Sequence, residues 1–321
     1  VVALELKLQG YRTKREMVRV RPGQTRTFSW ILEKLTTPQV PPTKTALPSP
    51  SISPSSTRPS PVSPEPKPPT KKVDEDKRPA ALLAAEKGCA DEQAQSCETA
   101  GNIWRLGQEV PSRPKKAYAL YQKACALKLG SSCAWLGMLY LRGQGVERSR
   151  EKACAMYRKA CVLKDGLGCS NAGWCHRKGL PQGQRNMAQA YNDYTQACQL
   201  NYANGCYNLG LLQQKGRGAK KNPTAAANAY RKACSMDFAK GCHRLGSLYR
   251  RGRGVSKDLK QAHRLYQKAC SARYASSCYN LGLLHEKGMG VSKSCRRAKP
   301  YYQRACRLGL NEACRVRCRE N

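Results

Sequence analysis

From Ala80 onward the apolar positions follow a helical period, and the whole pattern returns about every 36 residues. Ala stands eight residues before a cysteine, Tyr four before and Ala one before, as in Ala117, Tyr121 and Ala124 ahead of Cys125. The same trio, with Tyr157, Tyr194, Tyr230, Tyr266 and Tyr302 at its centre, precedes Cys161, Cys198, Cys234, Cys270 and Cys306. These offsets fall on one stripe of an α-helix.

Each of these cysteines opens a C-x7-C pair. With Cys89/Cys97 at the start, the pairs are Cys125/Cys133, Cys161/Cys169, Cys198/Cys206, Cys234/Cys242, Cys270/Cys278 and Cys306/Cys314. After the second cysteine a Leu or Ala precedes a Gly at constant phase, in Leu136-Gly137, Ala172-Gly173, Leu209-Gly210, Leu245-Gly246 and Leu281-Gly282. Glycine inside a helix costs about 1 kcal/mol relative to Ala, so its recurrence predicts a close approach between helices. Paired glycines such as Gly143/Gly145 and Gly252/Gly254 then end the second helix. The unit reads helix, tight turn, helix, glycine loop. Seven units predict a mainly α fold, an α-solenoid of helix-turn-helix repeats over residues 80–321. The first unit departs from the pattern, with Ala85 in the Tyr position and Glu109 in place of the second loop Gly, and the last has a shortened second helix.

The pattern before Ala80 is different. Residues 1–35 alternate apolar and polar, with Val2, Leu4, Leu6 and Leu8, then Val18 and Val20, then Phe28, Trp30 and Leu32. Period two, broken at Gln9-Gly10 and Arg21-Pro22-Gly23, predicts three short antiparallel strands, read as the tail of a β-module that begins upstream. Residues 36–79 are rich in Pro and Ser and almost free of apolar side chains, so an extended disordered linker is expected.

Gly10-Tyr11, a Val-rich strand and a Pro-Gly turn resemble part of a PEGA domain, a small bacterial extracytoplasmic β-module. The LGxLYxxGxGV and KAxxxYxKAC patterns, clearest from Leu245 to Cys270 and from Leu281 to Cys306, resemble the Sel1-like repeat, a relative of the tetratricopeptide repeat. The added C-x7-C is similar to the cysteine-rich Sel1 proteins of Helicobacter. The resemblance implies a binding scaffold for other proteins.

Two thiols per repeat across a short turn suit a disulfide, whereas structural zinc needs four ligands, usually at shorter C-x2-4-C spacing. Seven intra-repeat disulfides are expected. Cys154 and Cys175 lie at nearly one height of a hairpin and predict an eighth bridge, although helical phase turns Cys175 partly away from the seam. Cys318 is left between two partners, Cys295 and a helix outside the sequence. Disulfides at this density imply an oxidising compartment: periplasm, cell surface or medium.

With 58 Lys and Arg against 21 Asp and Glu, the chain carries a formal +37. Lys123, Lys159, Lys232, Lys268 and Arg304 recur two residues before the first cysteine, so stacking is expected to align them into a solvent-facing stripe. This stripe, together with a concave face bearing Tyr121, Tyr157, Tyr194, Tyr230 and Tyr266, is the expected binding surface. Its partner would be another protein or an anionic cell-envelope polymer rather than nucleic acid, and the solenoid a monomer.

No catalytic residue, metal or cofactor is expected. His176 and His285 occupy one repeat position otherwise held by Tyr140, Gln213 and Tyr249, which marks them as packing variants. Ser-x-x-Lys occurs at Ser112/Lys115 and Ser149/Lys152 without the companion motifs of serine β-lactamases. The two resemblances imply two alternatives to the scaffold: a β-lactam-binding hydrolase of the cysteine-rich Sel1 type, and the ectodomain of a receptor Ser/Thr kinase whose catalytic part lies upstream.

Overall fold

A computed structural model describes residues 78–318 apart from 108, 109 and 182, together with the backbone of two short strands near the N-terminus. The chain divides into two compact units, Val1–Pro68 and Pro69–Asn321. In the first, β1 (Val2–Leu4) pairs antiparallel with β2 (Glu16–Val18), Val2 opposite Val18. The expected third strand, Glu109 and nearly all of the linker lie outside the described residues.

The second unit is a stack of helical hairpins. Repeat one joins α1 (Ala80–Ala90) to α2 (Ala94–Leu106), repeat two α3 (Pro114–Ala126) to α4 (Gly130–Arg142), and repeat three α5 (Arg150–Val162) to α6 (Gly166–Lys178). Repeat four pairs α7 (Met187–Gln199) with α8 (Ala203–Lys215), and repeat five α9 (Pro223–Ser235) with α10 (Ala239–Arg251). Repeat six pairs α11 (Leu259–Ser271) with α12 (Ala275–Lys287), and repeat seven α13 (Cys295–Arg307) with the single turn α14 (Asn311–Cys314).

Local chemistry sets each boundary. Ser149, Asn186, Asn222, Asp258 and Ser294 stand twelve residues before the first cysteine of their repeats, and each side chain accepts a hydrogen bond from the backbone N–H three residues on. They are the N-caps of α5, α7, α9, α11 and α13, satisfying donors the helix leaves unpaired. Within each hairpin the first helix closes in a Schellman motif. The Leu129 N–H reaches Ala124 O at 3.1 Å and the Lys128 N–H reaches Cys125 O at 3.2 Å. The residue at the turn is left-handed in all seven repeats: Glu92, Lys128, Lys164, Asn201, Asp237, Arg273 and Gly309.

The turn closes every C-x7-C pair as a disulfide. Cys89 bonds Cys97, Cys125 bonds Cys133, Cys161 bonds Cys169 and Cys198 bonds Cys206. Cys234 bonds Cys242, Cys270 bonds Cys278 and Cys306 bonds Cys314. The Cα atoms are 4.3 to 4.9 Å apart across the seven. Such separations sit at the short end of disulfide geometry, and the crossing is correspondingly crowded. The residue before the second cysteine is accordingly small, as Ser132, Gly168, Gly205, Gly241 and Ser277.

In repeats one to six the second cysteine of each bridge is core, whereas Cys314 of the last repeat is exposed. Cys97, Cys133, Cys169, Cys206, Cys242 and Cys278 are each at most 1% exposed. The next repeat covers them: Cys97 packs in one cluster with Ala124, Cys133 with Ala160, Cys206 with Ala233, Cys242 with Ala269 and Cys278 with Ala305. Of the residues singled out by the sequence pattern, these second cysteines therefore act as packing and staples, and none presents a sulfur to a ligand. Stacking one hairpin on the next buries the start of each second helix, a step that the spacing within a single repeat does not show.

Two further bridges staple the stack. Cys154 joins Cys175 with Cα atoms 6.0 Å apart, and Cys295 joins Cys318 at 5.5 Å. Cys175 does not turn from the seam. It holds the core position that Leu139, Leu212, Leu248 and Leu284 hold elsewhere, and it is fully buried.

Between repeats the core is a tyrosine on a glycine. Tyr121, Tyr157, Tyr194, Tyr230, Tyr266 and Tyr302 are at most 3% exposed, and their rings lie against Gly101, Gly137, Gly173, Gly210, Gly246 and Gly282 of the preceding helix. The glycine makes room for a ring, so the close approach expected from its phase is ring on backbone.

Candidate functional site

That packing corrects the expected tyrosine-bearing surface. Tyr121, Tyr157, Tyr194, Tyr230 and Tyr266 are interior, because stacking seats each ring on a glycine of the preceding helix. Burial pushes the Tyr157 hydroxyl up to about 12.

The recurring cations are also partly engaged. Lys123 Nζ donates to Cys89 O at 2.5 Å, Lys268 Nζ to Cys234 O at 3.0 Å, and an Arg304 guanidinium nitrogen to Ser271 O at 3.4 Å. Each reaches the C-terminal carbonyls of the previous repeat's first helix, where the helix dipole favours a cation. Lys268 also pairs with Asp237 at 2.8 Å. Lys159 is exposed and Lys232 half-buried. Three of the five residues therefore cap helices, and the stripe is in part a structural seam.

Both Ser-x-x-Lys serines serve the backbone. Ser112 Oγ donates to Arg105 O at 3.0 Å, and Ser149 is the N-cap of α5, accepting from the Lys152 N–H at 3.1 Å. The motif at Ser149 is a capping geometry.

The most developed groove lies where repeat three meets repeat four. It encloses 540 Å³ between α5 and α7, with Ala172 and His176 of α6 at its floor. Val162 and Leu200, at corresponding ends of the two first helices, stand on its rim at 81% and 38% exposure. Arg158 and Lys164 add positive charge, and Gln189, Gln196 and Gln199 supply amide groups.

The floor owes its form to the extra disulfide. In other repeats the residue seven before the first cysteine meets the one seven after the second, as in Tyr118 with Tyr140 at 2.7 Å, Tyr191 with Gln213 at 3.4 Å and His263 with His285 at 3.3 Å. In repeat three the first of these positions is Cys154, bonded to Cys175. His176 turns instead to the next repeat, where its Nδ1 lies 2.5 Å from Asp193 Oδ2. Gln189 Nε2 donates to the other Asp193 oxygen at 3.2 Å, and Asp193 is only 6% exposed.

A buried carboxylate orienting an imidazole is half of an acid-base arrangement. The groove lining contains no Ser, no Thr and no reduced Cys, since Cys161 is bonded to Cys169. The dyad therefore offers a fixed hydrogen-bonding floor. Among the described residues no three His, Cys, Asp or Glu side chains come together as a metal site, and no helix is long and apolar enough to cross a membrane. Reading His176 as a repeat-position variant finds its position correctly but misses its partner, which becomes visible only through Cys154 displacing the usual contact.

Six consecutive stretches of the chain, residues 105–129, 130–163, 166–202, 203–238, 239–274 and 275–310, match the family described as Sel1 repeat. Among solved structures, a Sel1 repeat protein from Oxalobacter formigenes aligns with a TM-score of 0.61 at 19% identity, over 71% of this chain and 97% of that one. The protective antigen c5321 of uropathogenic Escherichia coli, which displays an SLR fold, aligns with a TM-score of 0.59 at 20% identity, over 72% of this chain. The alignment takes in 57% of that antigen, so the chain matches little more than half its length. Helicobacter pylori cysteine rich protein B is 35% identical over 40% of this chain and 90% of its own, with a TM-score of 0.33. No curated protein sequence matches the chain.

Proposed function

This chain belongs to the Sel1 repeat family, and on that basis we propose that its solenoid is a non-catalytic, extracytoplasmic scaffold that holds a segment of another protein in the groove between α5 and α7. The observation that carries this reading is the presentation of Val162, 81% exposed, beside Leu200 above a floor in which half-buried His176 meets buried Asp193. An extended segment would bury apolar side chains on Val162 and Leu200. Its backbone would hydrogen-bond to the glutamines, and an acidic residue would meet Arg158 or Lys164. All eighteen cysteines are paired, and disulfides persist in oxidising compartments, which supports a place outside the cytosol. The +37 charge supports anionic envelope polymers as a second class of partner on the remaining faces.

A photo-crosslinking side chain at Val162 of the full-length chain, compared with one at exposed Lys240 on α10, tests the groove in cells that make the protein. Position 162 is expected to yield a discrete protein adduct that excess unlabelled chain displaces. Equal labelling from both positions would overturn the reading.

A further inference from the structure

In repeats one, four and six the residue eight past the second cysteine engages the tyrosine hydroxyl of the next repeat. Arg105 Nε donates to the Tyr121 hydroxyl at 3.0 Å, while the Tyr230 hydroxyl donates to Gln214 Oε1 at 2.9 Å and the Tyr302 hydroxyl to Glu286 Oε2 at 2.6 Å. Repeat two has Leu141 there, Arg177 of repeat three also has a buried Nε with no hydrogen-bond partner, and repeat five departs by an exchange of partner. Ser247 Oγ takes the Tyr266 hydroxyl at 3.0 Å, and the displaced Arg250 is left with a buried Nε that has no hydrogen-bond partner.

Arg250 lines a cavity of 160 Å³ together with Arg244, Arg251 and Arg253, and with Ser247 and Asn280 at its polar wall. The cavity spans three successive second helices, α8, α10 and α12, away from the α5–α7 groove. No carboxylate lines it, and none of the four arginines is ion-paired among the described residues. Arg251 is a regular feature, matched by Arg142, Lys178, Lys215 and Lys287, but repeat five is where Arg244 joins it, since Asn171, Asn208 and Asn280 stand at that position in other repeats, and Gln144 and Met289 stand where it has Arg253. Their joint charge reaches a neighbour: His243 is held down to about 4, first by burial and then by Arg244, Arg250 and Arg251.

We propose that this cavity binds a tetrahedral oxyanion with two negative charges, a phosphoryl group free or esterified. Four guanidiniums without a counter-ion repel one another, and planar forks of donors match the oxygens of such a group. A liquid water occupies about 30 Å³, so the volume takes one phosphoryl group and a few waters while the rest of an esterified ligand stays outside.

Calorimetric titration of the full chain at low salt tests the proposal, using inorganic phosphate, phenyl phosphate and, as a monovalent control, acetate. Saturable one-to-one phosphate binding is expected, weakened about tenfold by R250Q and abolished in the triple variant R250Q/R251Q/R253Q. The variant R264Q, which removes an exposed arginine of α11 outside the cavity, should bind as the unaltered chain does. Should R250Q fail to fold, R253Q, exposed in the loop after α10, carries the same expectation. Phenyl phosphate binding as tightly as phosphate assigns an esterified group, and its failure to bind assigns the free anion. Acetate binding as tightly as phosphate, the absence of saturation, or an equal loss in R264Q overturns the proposal. Either result is independent of the crosslink at Val162.

Discussion

Gly137 and Tyr157 meet as backbone and ring: a Cβ built on Gly137 would stand 2.5 Å from Cε1 of Tyr157, closer than side-chain atoms approach one another. Ala is the better helix former by about 1 kcal/mol, yet overpacking a core of this kind costs roughly 1 to 3 kcal/mol. G137A is expected to lower stability in urea unfolding, the packing cost outweighing the propensity gain. At Gly246 the same Cβ would stand 3.0 Å from the Tyr266 ring, so G246A should cost less. If the two variants cost the same, or if G137A stabilises, the ring does not set the spacing between repeats.

The Cys154–Cys175 bridge closes a loop of 21 residues, and the regular bridges close loops of 8. On the chain-entropy account removal costs about 3 kcal/mol for the longer loop and about 2.5 for the shorter. C154A/C175A should therefore be destabilised at least as much as C161A/C169A in thermal melts, and His176 and Asp193 should lose their fixed geometry with it. Mass mapping under non-reducing conditions should find no alkylated cysteine; labelling of Cys154 or Cys175 would exclude the bridge.

Arg273 sits at φ 61°, past the end of α11 in the position that Schellman motifs reserve for glycine. A side chain there costs about 1 kcal/mol in the left-handed region, partly offset by the entropy glycine loses on folding. R273G is expected to raise the melting temperature slightly, and a fall would show that the arginine side chain contributes more than its backbone costs.

His243 is packed on Tyr266 and Tyr274, lies 2.9 Å from Ser277 Oγ, and faces Arg244, Arg250 and Arg251. Its pKa falls from an ordinary 6.5 to about 4 in the fold, so the unfolded chain binds the extra proton in that interval. The stability it supports is complete above about 6.5 and is lost as pH falls towards 4. H243Q should flatten the pH dependence of unfolding between those limits. An unchanged profile would mean that the imidazole is not held neutral.

Much of the solenoid was legible because each of its signals is local or strictly periodic. The Ala, Tyr and Cys stripe requires only that a helix repeats every 3.6 residues, and C-x7-C requires only a tight turn. The N-caps were equally legible in principle, since Ser149, Asn186, Asn222, Asp258 and Ser294 keep one phase. The tyrosines misled because a recurring aromatic has the same period whether it faces solvent or the next hairpin. Only stacking shows that Gly101, Gly137 and their counterparts are the floors on which those rings rest.

By itself, then, the order of residues determined what short-range geometry controls: the helix period, the turn, the regular disulfides and the number of hairpins. The tertiary structure alone decided which hairpin departs from the rule and to what end. Cys154 claims Cys175 and sends His176 across to Asp193; Ser247 claims Tyr266 and leaves Arg250 facing a cavity. Both outcomes are competitions for a single partner between residues on different helices, and such competitions are settled by distances that exist only once the repeats are stacked.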